Sequence, residues 1–175
     1  PEASAALLNR WGITRPFVLY TGGTDERKNL PRLIEAWSAL PAVLRQTHQL
    51  LFAGRIAEVG INEFRRLARQ YGLQPDELRF SGYVSDEELV QLYNLCKLYV
   101  FPSWHEGFGL PVLEAMRAGV PVLTTRAAFI PEIGGEGIFI FNHSGIGHNG
   151  LSCQTLRTLR KPVNNSPCPI LLPWL

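Results

Sequence analysis

Charge and sulfur are both scarce in this chain. Of its 175 residues only 18% are charged, the net charge is +2, and there are three cysteines and one methionine. A balance so close to neutral gives no field that would draw a nucleic acid or an anionic membrane surface. Cys96, Cys153 and Cys168 have no Cys-x-x-Cys spacing and cannot all pair, so the expected setting is a reducing cytoplasm. The four histidines lack ligand spacing and no Asp-x-Asp pair occurs, so no metal site is expected. No run has the length and continuous apolarity of a membrane span, and no signal peptide leads the chain. There is no Gly-x-x-x-x-Gly-Lys-Ser/Thr phosphate loop, and no Ser/His/Asp arrangement can be argued.

Apolar residues, at 46%, are plentiful enough for one domain with a real core, while the length is too short for two. The chain opens on Pro1 without a methionine, the mark of a piece of something longer. Phe17-Val18-Leu19-Tyr20 reads as a short buried strand closed by Thr21-Gly22-Gly23. Asp25, Glu26, Arg27 and Lys28 then lead into a helix with Leu30, Leu33, Ile34, Trp37 and Leu40 at helical spacing. Asn29 is the expected cap, and Pro31 is tolerable in the first turn. A strand around Gln49 to Ala53 ends at Gly54. The next helix carries Ile61, Phe64, Leu67, Ala68 and Tyr71 and stops at Gly72. Leu78 to Ser81 is a strand, followed by Gly82-Tyr83-Val84. Ser85 and Glu88 then write a capping box, with Val84 and Leu89 as its hydrophobic staple. Leu89, Leu92, Tyr93 and Cys96 form the buried side of that helix. Further strands are expected at Leu98 to Pro102, Val120 to Thr124 and Ile138 to Phe141, with one helical turn at Ile130 to Ile133.

Strands alternate with helices from Phe17 to Phe141 without a hairpin signal. This is the pattern of an α/β fold with an open, doubly wound and mostly parallel sheet, helices on both faces. Ligands of such sheets bind beyond the carboxyl ends of the strands, where Gly22-Gly23, Gly82-Tyr83 and Glu106 to Gly109 all fall. Residues 1–16 read as a linker or remnant leading in from a missing amino-terminal domain, 17–141 as the Rossmann-like domain, and 142–175 as an atypical tail. All 15 acidic residues lie at or before Glu136, and the tail holds two of the cysteines and ends in a Pro-rich stretch. The expectation is that this tail is not native family sequence, as after a frameshift or a cloning junction.

The most informative stretch is Trp104-His105-Glu106-Gly107-Phe108-Gly109-Leu110-Pro111-Val112-Leu113-Glu114. A strand turns through two glycines into a helix begun by Pro111, with one carboxylate at the turn and one in the helix. Free amides and the positive end of the helix dipole suit a phosphate there, and carboxylates accept from sugar hydroxyls. Glu106 and Glu114 could instead be surface carboxylates settled by the dipole, but the two glycines favour close approach to a ligand. They could also be the acid and nucleophile of a glycosidase. Placed on one short element, they more naturally grip a single ligand than face each other across it. The run Gly107-Phe108-Gly109 reaches Val112 where a dinucleotide fingerprint needs a third glycine, which argues against NAD.

The segment E-G-F-G-L-P-V-L-E resembles the Glu-x7-Glu motif at the donor-sugar site of retaining GT-B glycosyltransferases of the group 1 type (family 4-like), over about Phe17 to Glu136. The resemblance implies the carboxyl-terminal half of a GT-B fold that binds a GDP-, UDP- or ADP-sugar. It further implies sugar transfer with retention, without metal or other cofactor, to an acceptor held by a missing amino-terminal domain. Any peripheral membrane contact would run through that missing part. In the family, the residue matching Glu106 contacts the donor sugar and the one matching Glu114 the ribose, while amides from Gly107 through Phe108 and Gly109 to Leu110 hold the phosphates. A basic pair in the loop after Gly22 contacts the diphosphate, and Lys28 matches it. Many members carry Arg where this chain has Gly23, so Arg27 is the candidate to supply that charge. The Gly-Tyr-Val loop implies that Tyr83 and Val84 meet the base, although taken alone they are only the staple before a helix. Arg27 and Lys28 alone would be a solvated face, and Arg55 is more simply surface. His105 beside Glu106 could donate a proton, but an aromatic loop residue is the commoner role there in the family. The loop style Gly-Gly-x-Asp-x-Arg-Lys-Asn suggests mannosyl transfer in polysaccharide biosynthesis. As an isolated chain, donor binding without transfer is expected. The alternative is a non-catalytic nucleotide or nucleotide-sugar binding module.

Overall fold

The computed structural model of the chain describes residues 2–125 and 138–141, with side-chain surroundings for residues 4–125. The strands are β1 (Phe17–Thr21), β2 (Gln49–Ala53), β3 (Leu78–Gly82), β4 (Leu98–Phe101), β5 (Val122–Thr125) and β6 (Ile138–Phe141). They form one sheet in the order β3-β2-β1-β4-β5-β6, and every pairing is parallel. The register sets Leu19 beside Leu51 and Val18 beside Leu98, so the central strands are apolar on both sides. All residues of β1, β2, β4 and β5 are buried, as a parallel sheet covered on both faces requires.

The helices are α1 (Glu2–Arg10), α2 (Leu30–Ser38), α3 (Ala42–Thr47), α4 (Glu58–Gln70), α5 (Asp86–Leu95) and α6 (Leu110–Arg117). From β1 the strand order runs outward to β3, and from β4 it runs outward the other way to β6. Right-handed crossovers therefore place α2 and α4 on one face and α6 on the other. In α2 the apolar spacing is realised, with Leu30, Leu33, Ile34 and Trp37 all at most 2% exposed. Each such side chain contributes roughly 1.5–3 kcal/mol of burial. The box at α5 is present, with Ser85 Oγ accepting from the Glu88 amide at 3.3 Å and Glu88 Oε2 from the Ser85 amide at 3.0 Å.

Two expectations change, and one stretch gains structure. Asn29 is not a side-chain cap: it sits in the left-handed region at φ 57°, and its Nδ2 donates to the Pro102 carbonyl at 3.3 Å. That amide ties the loop after β1 to the loop after β4 instead of closing its own helix. Tyr71, expected on the buried stripe of α4, is 42% exposed because it lies past the last helical residue. The stretch 1–16, read as a linker or remnant, contains α1; Leu8 and Trp11 pack on the core and Ile13 is inside it at 2% exposure. Helix α3 was not foreseen either, since its apolar residues have no clear period. The turn expected at 130–133 and the tail 142–175 lie outside the described residues.

Candidate functional site

Because every strand runs the same way, all carboxyl ends share one edge. Across it the amide of Gly22 donates to the Ala53 carbonyl and that of Gly54 to the Gly82 carbonyl, each at 3.0 Å. The backbones approach closely there: a Cβ on Gly54 would stand 2.4 Å from the Gly22 carbonyl oxygen. Strand order reverses between β1 and β4, and such a reversal opens a crevice for ligands. Two loops meet at that crevice, one from Gly22 to Asn29 and one from Pro102 to Gly109.

Their meeting is tied three times. The Trp104 amide donates to the Arg27 carbonyl at 2.8 Å, Asn29 reaches Pro102, and Lys28 Nζ donates to Glu106 Oε1 at 2.6 Å. Lys28 and Glu106 are largely withdrawn from water, their side chains 12% and 10% exposed. Lys28 also lies 5.2 Å from the centre of the Phe101 ring, a cation–π contact. An ammonium has three donors, so the bond to Glu106 leaves two for other acceptors. Tyr20 lies beneath, its hydroxyl donating to the Gly23 carbonyl at 2.7 Å. Burial first, and then the charges of Glu106 and Asp25, hold that hydroxyl well above the usual phenol range, with Arg27 acting against them.

Helix α6 is capped by Gly109, whose φ of 79° explains the second glycine of the motif. Gly107 has open space where a Cβ would be. Among the described residues no hydrogen bond takes up the amides of Gly107, Phe108, Gly109 or Leu110. Phe108 and Leu110 are exposed. Glu114, one turn into α6, accepts from the Tyr93 hydroxyl at 3.0 Å. Tyr93 in turn lies 3.2 Å from Thr21 Oγ1, which lies 3.0 Å from the Tyr99 hydroxyl. Through this chain Glu114 is joined to the end of β1, the strand that opens the Lys28 loop.

The remaining candidates divide. Tyr83 is 65% exposed, with the Arg55 guanidinium 4.6 Å from its ring centre, while Val84 packs toward the core. So the Gly-Tyr-Val loop offers an aromatic face at the β3 end of the same edge, and Arg55 backs it. Arg27 is exposed and has no ion pair among the described residues. At Gly23 a Cβ would meet the Asp25 carboxylate at 3.3 Å, so an acidic group stands beside that position. His105 is exposed. Sequence reasoning treated Tyr93 as core and did not single out Thr21, Tyr99 or Ser103. The available signal was that a buried phenol needs a hydrogen-bond partner, and here the partners are side chains of the site. Ser103 Oγ is buried without a partner among the described residues.

The family described as Glycosyl transferases group 1 matches residues 9–146. The chain belongs to the group 1 glycosyltransferases. It is 41% identical over 141 residues to the serotype-specific mannosyltransferase WbdA of Escherichia coli, covering 81% of this chain and 17% of that protein. It is 33% identical over 144 residues to the O-antigen chain mannosyltransferase B of Escherichia coli, covering 82% of this chain and 37% of that one. The chain thus spans well under half the length of these relatives. Among solved structures it is similar to sucrose-phosphate synthase from Thermosynechococcus elongatus, with TM-score 0.72 and 28% identity over 90% of this chain and 40% of that one. WaaG, a glycosyltransferase involved in lipopolysaccharide biosynthesis, superimposes with TM-score 0.70 and 25% identity over 91% of this chain and 42% of that one. The doubly wound Rossmann-like fold expected for this group 1 glycosyltransferase is therefore the one observed. Among its described residues no helix is long and apolar enough to cross a membrane.

Proposed function

We propose that this group 1 glycosyltransferase chain is the donor-binding domain of a mannosyltransferase, taking a nucleotide-diphosphate sugar, GDP-mannose in the first instance. The observation that carries the reading is the Lys28–Glu106 pair at 2.6 Å, set at the reversal of strand order beside four amides without described acceptors. The mannosyl assignment draws on the names of the two Escherichia coli relatives.

In this reading the amides from Gly107 to Leu110 and the two spare donors of Lys28 hold the diphosphate. Glu106, fixed by Lys28, accepts from the sugar hydroxyls, and Glu114 from the ribose. Tyr83 offers its face to the base. As the bond between the anomeric carbon and the diphosphate oxygen breaks, charge develops on the departing oxygen. Lys28 meets it, with Arg27 adding longer-range positive charge, and the acceptor oxygen bonds the anomeric carbon on the same face while its proton passes to the departing diphosphate oxygen, giving retention. The acceptor is held by a part of the enzyme outside this sequence, and no metal is needed. The isolated chain then binds donor but does not transfer.

Calorimetric titration of the chain with GDP-mannose, UDP-glucose and ADP-glucose tests the reading. GDP-mannose should bind, and the double variant Lys28→Met with Glu106→Gln should abolish it. Silence toward all three would overturn the assignment, and transfer by this polypeptide alone would overturn its division of labour. In the full-length enzyme, turnover lost to Glu106→Ala and unaffected by a chelator is expected; persistence of turnover would point to a binding role only.

A further inference from the structure

We propose that Tyr93 is a positioning residue for Glu114, the last link of a one-directional hydroxyl chain, Tyr99 to Thr21 to Tyr93, that fixes the carboxylate for a ribose diol. This rests on the donor-site reading given above. The direction follows from counting hydrogens. An ionised carboxylate only accepts, so at 3.0 Å Tyr93 must donate to Glu114 Oε2. Its single proton is then spent, and at 3.2 Å it can only accept from Thr21 Oγ1. Thr21 has in turn spent its own proton, so at 3.0 Å it accepts from Tyr99. All three hydroxyls belong to buried residues, and the chain satisfies each of them. Burial, the largest cause, raises both phenols well above their usual range, so both keep the proton they donate.

The consequence for the site is geometric. Glu114 stands on an exposed position of α6, where a free carboxylate would sample several rotamers. The bond to Tyr93 engages one oxygen and leaves Oε1 for a ligand. The links come from β1, β4, α5 and α6, so the groove for the ribose is held to the strand that carries the Lys28 loop. A hydrogen-bond chain of this kind ends in a charge and gains from it.

The test is calorimetric binding of GDP and of 2′,3′-dideoxy-GDP to the chain and to three variants. Glu114→Ala should weaken GDP while leaving the dideoxy probe unchanged. Tyr93→Phe, which keeps the ring and the carboxylate, should weaken GDP about tenfold and bring the two probes together. Thr21→Val, remote from the ligand, should weaken GDP by about threefold in the same selective way. If Glu114→Ala leaves GDP affinity unchanged, the donor-site reading itself fails. If Glu114→Ala weakens GDP but Tyr93→Phe and Thr21→Val do not, that reading stands and the positioning proposal falls. Equal weakening of both probes by Tyr93→Phe would mark a merely structural tyrosine and also overturn it. Should Tyr93→Phe fail to fold, Thr21→Val decides by the same two criteria.

Discussion

The two ends of the sheet use polar side chains in opposite ways. At the amino edge the most buried of them, Gln49, serves the backbone. Gln49, fully buried, accepts from the amides of Thr14 and Arg15 at 2.8 and 3.1 Å and donates to the carbonyls of Gly12 and Asp76 at 3.1 and 2.8 Å. Its hydrogen-bonding capacity is spent on chain segments entering β1 and β3. Beside it Arg45 grips both oxygens of Glu77 at 3.0 and 2.9 Å. At the carboxyl edge side chains hold one another, Lys28 with Glu106 and Tyr93 with Glu114, and each keeps donors or acceptors in reserve. A saturated edge fixes where strands start; an edge with spare valences can meet a ligand. The difference marks the carboxyl edge as the candidate site without reference to any motif.

The largest effect should come from exchanging charge for shape at the reserve edge. Removing Lys28 alone would leave Glu106 buried and unpaired, mixing stability with function. The double variant Lys28→Met with Glu106→Gln avoids this. In the full-length enzyme it should lose about 10³ or more in kcat/KM while thermal unfolding of the chain stays near the parent. A melting point as depressed as that of an amino-edge variant would break the comparison. Its counterpart is Gln49→Ala, which leaves the amides of Thr14 and Arg15 and the Gly12 carbonyl without their partner, while the Asp76 carbonyl keeps Arg15. About 3 kcal/mol of unfolding free energy should go, measured by urea titration. Donor affinity of the molecules that remain folded should not change, and a selective loss of affinity would show that the edges are not separable.

How much of this was legible follows the same division. The alternation of strand and helix, and the glycines closing β1, β2 and β3, stand in the sequence because buried parallel strands need continuous apolar runs and tight exits. The carboxyl-edge candidates Glu106 and Glu114 were legible as a spacing, and Lys28 as part of a basic pair after Gly22-Gly23. Their pairing was not, since nothing in the order of residues says that Lys28 meets Glu106 across a crossover of 78 positions. Asn29 misled for a related reason: its type suits a cap, and only the tertiary contact with Pro102 shows the other use. Helix α1 was hidden because its few apolar residues find their partners in a core assembled from later strands. Tyr93 was legible as buried, but the acceptor for its hydroxyl lies on another helix.

Two glycines sharpen the comparison at the backbone level. Gly54 has φ 141° and no room for a Cβ, since the Gly22 carbonyl oxygen would be 2.4 Å away. Gly54→Ala should cost about 3 kcal/mol and also weaken donor binding, because Gly22 must shift and it opens the Lys28 loop. Gly119, past the end of α6, has φ 72° and nothing within 4 Å of its Cβ position. Gly119→Ala should cost only about 1 kcal/mol, with donor binding unchanged. Equal costs would mean that the left-handed angle alone matters and that the close approach at the carboxyl edge does not.

The last effect is alkaline. Burial pushes the Cys96 thiol from its ordinary 9.0 up to about 12, and it raises Tyr20, Tyr93 and Tyr99 above their ordinary 10.0. In the unfolded chain these groups lose protons first, so between their unfolded and folded values the native state binds more protons. Stability must then fall as pH rises, with the full contribution present below pH 9 and the loss beginning there with Cys96, before the phenols join above 10. Urea midpoints measured from pH 7 to 11 should be level up to about pH 8.5 and decline beyond it. Cys96→Ala should delay the onset toward pH 10, leaving a later slope that belongs to the tyrosines. Tyr93→Phe should flatten that later slope and spare the earlier one, since the phenol it removes belongs to the carboxyl edge. If Gln49→Ala altered either slope, ionisation at one edge would depend on packing at the other, and the sheet would couple what the hydrogen bonds keep apart.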